Sequence, residues 1–227
     1  MPTVLVPWGA VHQVIACGAG TMTTWMPIQR TIVAVDIKDS TERNNVERGY
    51  LRADMYEVLE SALLTSGVTE ELRDKFIDRG DGAAALIHPA DQIPKPRIIN
   101  RFIPALRDQL VAYAPDRQFQ LRVAVHAGDV HFDSRGQYGE DLDVTFRLLD
   151  APEFKAYLAG TTEPLALVVS DQMYRSAIRH GYDGIDASAF QPLVCVQVGG
   201  HAHQGWVQVL PAAANGHERM TRIGRVS

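Results

Sequence analysis

The sequence predicts an α+β fold in which one mixed, mostly antiparallel sheet carries helices on its face. Short apolar runs rich in β-branched residues, typical of strands, alternate with longer segments whose apolar residues recur at helical spacing. Several strand runs follow each other across short turns that contain Gly and Asp, as antiparallel hairpins do. In chain order the pattern is βα-ββ-α-ββ-α-βα-ββ. We therefore expect a single sheet with helices packed on its face.

Composition limits the possible partners. The chain has 227 residues, is 46% hydrophobic and carries a net charge of −5 without any block of like charge. This size suffices for one full core, and the charge argues against nucleic-acid or polybasic membrane binding. Cys17 and Cys195 have no metal-type spacing, and no apolar run is long enough to span a bilayer. We therefore expect a cytoplasmic protein with neither a nucleic-acid nor a membrane partner.

The chain is expected to contain one folded domain, residues 29–211, between two terminal segments. Residues 1–28 are mildly apolar but lack a basic start and are interrupted by Pro7 and His12, so a signal peptide is not expected. Met22 and Met26 stand just before the first strand, and either could mark the native start. We expect residues 1–28 to be a poorly packed extension and residues 212–227 to be a polar tail.

The segment around which the chain is organised is Thr31–Thr41. Its first five residues are apolar or β-branched and end at a carboxylate, Asp36; Ser40 and Thr41, which are N-cap residue types, follow. A strand covered on both faces that ends in an acid beside a helix start can hold a divalent cation and a phosphate. The alternative is that Asp36 only caps a turn.

A long helix and a hairpin follow this strand. The helix is predicted over about 46–64, with Val46 and Tyr50 beside the apolar stripe formed by Leu51, Met55, Val58, Leu59, Ala62 and Leu63. Two apolar runs in 75–89 are joined through Arg79-Gly80-Asp81-Gly82, where glycines on both sides of an acid favour a tight turn. This turn would hold Asp81 at its tip.

The second half of the domain is also predicted to contain helices and hairpins. In a helix over about 97–113, Pro104 should cause a kink or break the first turn, and a hairpin is predicted around Ala127-Gly128-Asp129. Gly139 precedes a helix over 140–149, in which Asp143 and Arg147 lie one turn apart on one face. The remaining elements are a strand over 165–170, a helix over 171–180 and a hairpin of 193–198 with 205–210.

Asp36, Asp81 and Arg147 form a chemically meaningful set. If the two aspartates are adjacent in the sheet, they can bridge two divalent ions about 4 Å apart, as activation of an oxygen nucleophile on a triphosphate requires. Arg147 would supply a fixed cation for charge that develops on the transferring phosphoryl group.

Four segments carry a family resemblance: VAVDIKDST, FIDRGDGAAALI, LRVAVHAGDV and YGEDLDVTFRLL. Together they cover most of residues 31–150, and in their order and spacing they resemble the class III nucleotidyl cyclase catalytic domain. The predicted order of elements also looks like a ferredoxin-type core with an appended hairpin.

The resemblance also implies roles for individual residues. Asp36 and Asp81 would be the metal ligands, together with the carbonyl of Ile37, for two Mg²⁺ or Mn²⁺ ions per site. Arg147 would stabilise the transition state, and Asp143 stands where the family usually has asparagine, which orients the ribose. The family acts as a head-to-tail homodimer in which each active site takes the metal aspartates from one subunit and the arginine helix from the other.

Two departures from the family concern the base. Adenylate cyclases usually have a lysine where this chain has Ile77 and an aspartate where it has Gly136. Neither residue can make the adenine hydrogen bonds or the glutamate-type contact of guanylate cyclases. A site that selects by hydrogen bonding discriminates strongly, so the losses argue against both purines.

The chain therefore also resembles the pyrimidine cyclases of bacterial antiphage signalling, which act through a separate effector. We expect conversion of UTP to 3′,5′-cyclic UMP and pyrophosphate as a second messenger for antiphage defence. The alternatives are a cytidylate or adenylate cyclase, or a catalytically inactive nucleotide-binding regulatory module on the same fold.

Three further side chains are candidates for substrate contacts. The hydroxyl and ring of Tyr50 could reach a small base, or Tyr50 could be a half-buried packing residue. Lys38 and Arg79 neighbour the metal acids and could meet phosphate, or both could be solvated.

The histidines give weaker signals. His201 or His203 could replace the family's phosphate-binding lysine, although exposed turn histidines are more often without function. His126 and His131 show no zinc spacing. Ser40 lies near an acid but has no histidine in register, so a Ser/His/Asp catalytic set around it is not supported.

Overall fold

The computed structural model describes residues 24–113, 118–158 and 163–210. Within these residues, eight strands form one sheet with the order β2-β3-β1-β4-β6-β8-β7, and β5 pairs with β4. Only the β4–β6 pair is parallel among these strands. The strands are β1 (Thr24–Ile37), β2 (Ile77–Asp78), β3 (Gly82–Ile87), β4 (Leu121–Asp133), β5 (Gly136–Tyr138), β6 (Leu165–Ser170), β7 (Gln191–Val198) and β8 (His201–Leu210). The predicted mixed, mostly antiparallel sheet is confirmed.

Helices cover both faces of this sheet. They are α1 (Asn45–Thr65), α2 (Lys95–Arg97), α3 (Ile103–Ala112), α4 (Glu140–Asp150), α5 (Pro152–Tyr157) and α6 (Asp171–Met173). α1, α3 and α6 pack on one face, whereas α4 and α5 pack on the other. No helix in the described part of the chain is long and apolar enough to cross a membrane.

β1 is an interior strand of the sheet and is buried on both faces, as predicted. Val33, Val35 and Ile37 face α1 and α3, and Ala34 faces α4. The side chains from Ile32 to Val35 are fully buried. β1 pairs with β3 on one side and with β4 on the other, so the residues at its carboxyl end are held from both sides.

The strand is longer than the sequence pattern indicated. β1 begins at Thr24, inside the extension predicted for residues 1–28, and Met26 is exposed on it. Residues 1–23, with the possible start at Met22, and the tail 212–227 lie outside the described residues. The domain boundaries therefore remain predictions.

The long helix α1 confirms its predicted stripe, since all six stripe residues are buried and Val46 and Tyr50 are exposed. Its predicted bounds of about 46–64 are confirmed, but neither Ser40 nor Thr41 is its N-cap. Asn44 is the N-cap: its side chain accepts hydrogen bonds from the backbone N–H groups of Val46 and Glu47, both at 3.0 Å. Ser40 begins a separate short 3₁₀ turn (Ser40–Glu42).

The helix predicted over 97–113 is interrupted ahead of its proline, as expected. A π-helical turn, Ile98–Phe102, separates α2 from α3, and Pro104 lies in the first turn of α3. Because proline lacks an N–H group and its ring clashes with the preceding turn, it is tolerated best at such a start.

The hairpin predicted around Gly128 is wrong, because β4 runs without interruption from Leu121 to Asp133. Gly128 and Asp129 pair with Arg30 and Gln29 of β1. The true turn comes later, where the Asp133 side chain accepts hydrogen bonds from the N–H groups of residues 135 and 136. Gly128 instead permits a close approach, since a Cβ there would lie 2.1 Å from Cγ of Asp141 on α4.

The last hairpin forms as predicted, but its turn is shorter. β7 and β8 are joined at Gly199-Gly200, so His201 and His203 lie on β8 rather than in a turn. His203 is partly buried, with Nε2 3.7 Å from Oε1 of Glu140 on α4, whereas His201 is exposed.

We expect Gly128→Ala to lower the free energy of unfolding by roughly 1–3 kcal/mol, the usual cost of overpacking, because α4 must move away from β4. Gly49→Ala is the matched control. No atom lies within 4 Å of a Cβ built at Gly49, which sits inside α1, so that change should stabilise by about 0.5–1 kcal/mol. Urea denaturation of both variants measures the difference. Equal stabilities would show that the β4–α4 approach is not tight.

Candidate functional site

Asp36 lies next to the carboxyl end of β1, on the sheet face that α4 covers. It stands opposite Gly82 on β3 and Arg122 on β4. The Arg122 guanidinium donates Nε to Oδ1 and Nη2 to Oδ2 of Asp36, both at 2.8 Å. Each side chain is only 14% exposed, so this bidentate ion pair is largely desolvated.

Burial raises the pKa of Asp36 above its ordinary value, and the hydrogen bonds and charge of Arg122 oppose that effect. The nearby carboxylates of Asp150 and Asp81 raise the pKa further. The ionised form of Asp36 is therefore not fully compensated by Arg122. An additional cation at this position would be electrostatically favourable.

Asp81 is held beside Asp36 by the turn between β2 and β3. Its carbonyl accepts a hydrogen bond from the backbone N–H of Ile37 at 3.0 Å. The Ser40 hydroxyl donates a hydrogen bond to Oδ2 of Asp81. The structure thus brings Asp36, Ile37 and Asp81 together, and Ser40 has a role at the turn in place of the predicted helix cap.

An open cleft of about 570 Å³ lies between this turn and the first half of α1. Arg52 of α1 fixes the turn by donating Nη1 to Oδ1 of Asp78 at 2.7 Å and by a second contact to the carbonyl of Gly80. The hydrogen bonds from Arg52 and from the backbone N–H of Gly80 lower the pKa of Asp78. The cleft is lined by Ile37, Ser40, Asn45, Arg48, Gly49, Leu51, Arg52, Asp78, Gly80 and Asp81.

The donor set fits Mg²⁺ or Mn²⁺ completed by a substrate. In the described residues no group of three or more His, Cys, Asp or Glu side chains converges as a metal site. Mg²⁺ typically uses one or two protein carboxylates, substrate phosphates and water, and this pattern fits two adjacent aspartates of which Asp81 lines the open cleft. The raised pKa of Asp36 agrees with an acid whose charge a cation would balance.

Asp143 and Arg147 occupy a different part of the chain. Both side chains are exposed on α4. Asp143 lines a second cleft of about 410 Å³, and neither residue lines the cleft of Asp81. The second cleft is lined by Gln137, Tyr138, Gly139, Glu140, Leu142, Asp143, Phe146, Val198 and Gly199. Within one chain the structure therefore does not bring these two side chains to the cleft of Asp81.

Lys38 and Arg79 point to partners away from the first cleft. Nζ of Lys38 donates to Oε1 of Gln120 at 2.9 Å. The Arg79 guanidinium lies 3.7 Å from the ring centroid of Phe146 and 3.9 Å from Oδ2 of Asp150, both on α4. Arg79 therefore connects the Asp81 turn to α4, and neither side chain lies free in solvent.

The residues considered for base selection lie in contrasting surroundings. Ile77 pairs with Ala84 across the sheet, is half-buried and packs with Phe146 against a small apolar cluster. Gly136 has a φ of 140°, which side-chain-bearing residues rarely adopt. Tyr50 is 67% exposed, so it is not the half-buried packing residue of the alternative interpretation, and it does not line the first cleft.

Several residues of the site were missed from the sequence. Arg122 and Arg52 were overlooked, although a charged residue inside an otherwise apolar strand, as in LRVAV, is a usable signal. His126 was set aside because it lacked zinc spacing, yet it is buried between Ser170 and Asp141. No local pattern links those three positions.

Comparison with known proteins gives the fold class. No protein-family model matches the chain, and no curated protein matches it. The guanylate cyclase domain of RhGC from Catenaria anguillulae, solved in complex with GTP, aligns with a TM-score of 0.53 and 14% identity, over 80% of this chain and 97% of that one. An adenylate/guanylate cyclase/hydrolase from Silicibacter pomeroyi aligns with a TM-score of 0.55 and 18% identity, over 81% of this chain and 98% of that one.

The adenylyl cyclase CyaB from P. aeruginosa aligns with a TM-score of 0.52 and 14% identity, over 81% of this chain and 94% of that one. The chain therefore has the fold of class III adenylate and guanylate cyclase domains, and the predicted fold class is confirmed. At these identities the likeness concerns the fold.

We expect Mn²⁺ to stabilise the protein through Asp36 and Asp81 without any nucleotide. At about 100 times its Kd the ion should add ~2.7 kcal/mol to the free energy of unfolding. Asp36→Asn, which keeps an acceptor for Arg122, and Asp81→Asn should each remove most of the gain. Thermal unfolding with and without Mn²⁺ measures it, with the exposed Glu60→Gln on α1 as control. An undiminished Mn²⁺ effect in Asp81→Asn would contradict the assignment.

Proposed function

We propose that this protein is a nucleotidyl cyclase that converts UTP to 3′,5′-cyclic UMP and pyrophosphate. The observation that carries the proposal is the placement of Asp36 beside Asp81, whose turn borders an open cleft next to α1. The fold shared with adenylate and guanylate cyclase domains supports the same reaction class.

In this proposal Asp36, Asp81 and the carbonyl of Ile37 hold two Mg²⁺ or Mn²⁺ ions. The ions would supply Lewis-acid stabilisation of phosphate oxygens and would lower the pKa of the ribose 3′-hydroxyl. Arg122 orients Asp36 and opposes the rise in its pKa, and Arg52 keeps the Asp81 turn in place. The chain thereby orders its acids before substrate binds.

The chemical step exchanges one bond for another at the α-phosphorus. The ribose 3′-oxygen gives up its proton to solvent water as it forms the new P–O bond, and the bond between the α-phosphorus and the oxygen bridging to the β-phosphate breaks to release pyrophosphate. Arg147 stabilises the negative charge of the transition state, and Asp143 orients the ribose.

We propose that two chains share each active site in a homodimer. The support is the separation of Asp143 and Arg147 from the cleft of Asp81 within one chain. A head-to-tail dimer would place the exposed α4 face of one subunit over the metal acids of the other, and its twofold symmetry would create two equal sites.

The choice of UTP rests on the base contacts that the chain lacks. Half-buried Ile77 offers no donor, and Gly136 offers no side chain. Adenylate cyclase activity is the second candidate, because the similar solved structures named above are adenylate and guanylate cyclases. We further propose, from the sequence resemblance, that the cyclic nucleotide acts on a separate effector in antiphage defence.

Incubation of the purified protein with each of the four nucleoside triphosphates and Mn²⁺ tests the proposal. We expect cyclic UMP as the main product by mass spectrometry. Asp36→Ala and Asp81→Ala should lower turnover by more than about 10²-fold because either loss dismantles the two-metal site. Glu60→Gln should behave as wild type. If cyclic AMP is the main product, the preferred substrate is ATP and the assignment of UTP is wrong. If no triphosphate gives a product, the chain is the catalytically inactive nucleotide-binding module.

Mixing variants tests the shared site. Asp81→Ala and Arg147→Ala should each be inactive alone, yet random re-equilibration should restore about a quarter of wild-type activity, since half of the dimers then carry one complete site. Asp81→Ala mixed with Asp36→Ala is the control and should restore nothing, because both acids come from the same subunit. Activity in the control mixture but not in the test mixture would overturn the proposed arrangement.

A further inference from the structure

A buried hydrogen-bonded chain of side chains connects three elements outside the clefts. Nδ1 of His126 on β4 lies 2.7 Å from Oγ of Ser170, and Nε2 lies 2.8 Å from Oδ1 of Asp141 on α4. The other carboxylate oxygen of Asp141 accepts the backbone N–H of Asp129 at 2.6 Å. His126 and Ser170 are only 4% and 3% exposed.

One tautomer of neutral His126 satisfies every group in this chain. The N–H on Nε2 donates to the Asp141 carboxylate, and Nδ1 accepts from the Ser170 hydroxyl. Ser170 also caps α6 by accepting the backbone N–H of Met173 at 3.3 Å. Burial alone would raise the pKa of Asp141, but the hydrogen bonds that Asp141 accepts from His126 and from the backbone of Asp129 hold it below its usual value. A fully satisfied buried network of this kind fixes one arrangement of the elements that it joins.

The three residue types are those of a hydrolase triad, but the geometry excludes that role. The Ser170 hydroxyl is buried, so a substrate cannot reach it. A structural role for this hydrogen-bonded network agrees with Gly128, because the absence of a side chain there lets the Asp141 carboxylate pack against β4. The hydrogen bonds of Asp141 with His126 and Asp129 fix the first turn of α4 against the sheet.

α4 is also the helix that presents Asp143 and Arg147. Asp141 lies two residues before Asp143 and six before Arg147, and the apolar side chains of α4 that face the sheet are buried. We propose that His126, with Ser170 and Asp141, is a positioning residue that sets the depth and rotation of α4, and so the placement of Arg147 in the site of the partner subunit. This inference rests on the proposed cyclase function.

The kinetic test uses His126→Gln and Ser170→Ala. A shift of α4 by about 1 Å should lower kcat by about 10²-fold. KM for UTP should change by less than about threefold, because the metal acids and the α1 cleft are untouched. Thr145→Val is the matched control. Thr145 is equally buried on α4, but its hydroxyl donates only to the carbonyl of Asp141 within the helix, at 2.7 Å. Equal losses of kcat in Thr145→Val and His126→Gln would overturn the proposal.

Subunit mixing separates positioning of α4 from general damage. His126→Gln mixed with Asp81→Ala should recover about a quarter of wild-type activity, because the Asp81→Ala subunit supplies an intact α4 to the site that retains Asp81. His126→Gln mixed with Arg147→Ala should gain nothing. Recovery with Arg147→Ala but not with Asp81→Ala would place the effect of His126 on the metal side and refute the inference.

A readout without turnover keeps this inference distinct from the proposed function. Amides in the first two turns of α4 should exchange with deuterium faster in His126→Gln and Ser170→Ala than in Thr145→Val. Nitrogen NMR of the wild type should show a proton on Nε2 of His126 in a hydrogen bond. Unchanged α4 exchange in both network variants would refute positioning by His126. An inactive wild type with these signatures would refute the cyclase function alone.

Discussion

The rest of the site depends on the ion pair between Asp36 and Arg122, made where β1 leaves the core. A strand covered on both faces has little water to solvate an ionised side chain, so burial raises the pKa of Asp36. Bidentate hydrogen bonds from Arg122 offset part of that cost and tie β1 to β4. Because Asp81 adds negative charge beside the pair, the position favours a further cation.

The two faces of the sheet divide the functional groups between them. The cleft of Asp81 lies against α1, where Arg52 fixes the acid-bearing turn. Asp143 and Arg147 are exposed on α4, in the opposite helix layer, where Asp143 lines a separate cleft. Arg79 joins the layers through its contact with Phe146, so the turn and α4 of one subunit share a physical connection. In the proposed dimer this connection links two active sites.

The buried polar groups around His126 illustrate how a fold can hold a catalytic helix. Apolar packing of α4 gives stability but tolerates small sliding motions of the helix along the sheet. Directional hydrogen bonds from β4 to Asp141 allow far less movement, and Gly128 lets them form at short range. Because every polar group in this network has a hydrogen-bond partner, the network restricts the position of α4 without a large desolvation cost.

The sequence by itself determined the elements that follow from local periodicity: the buried strand β1, the stripe of α1 and the turn that presents Asp81. It misplaced features whose meaning depends on distant partners. Ser40 resembles a helix cap but bonds Asp81, and Gly128 resembles a turn residue but admits Asp141. Asp36 and Arg122 are 86 positions apart, and His126 and Ser170 are 44 apart. Only the tertiary structure decided these pairs, because strand register and helix packing, rather than local spacing, bring such side chains within hydrogen-bonding distance.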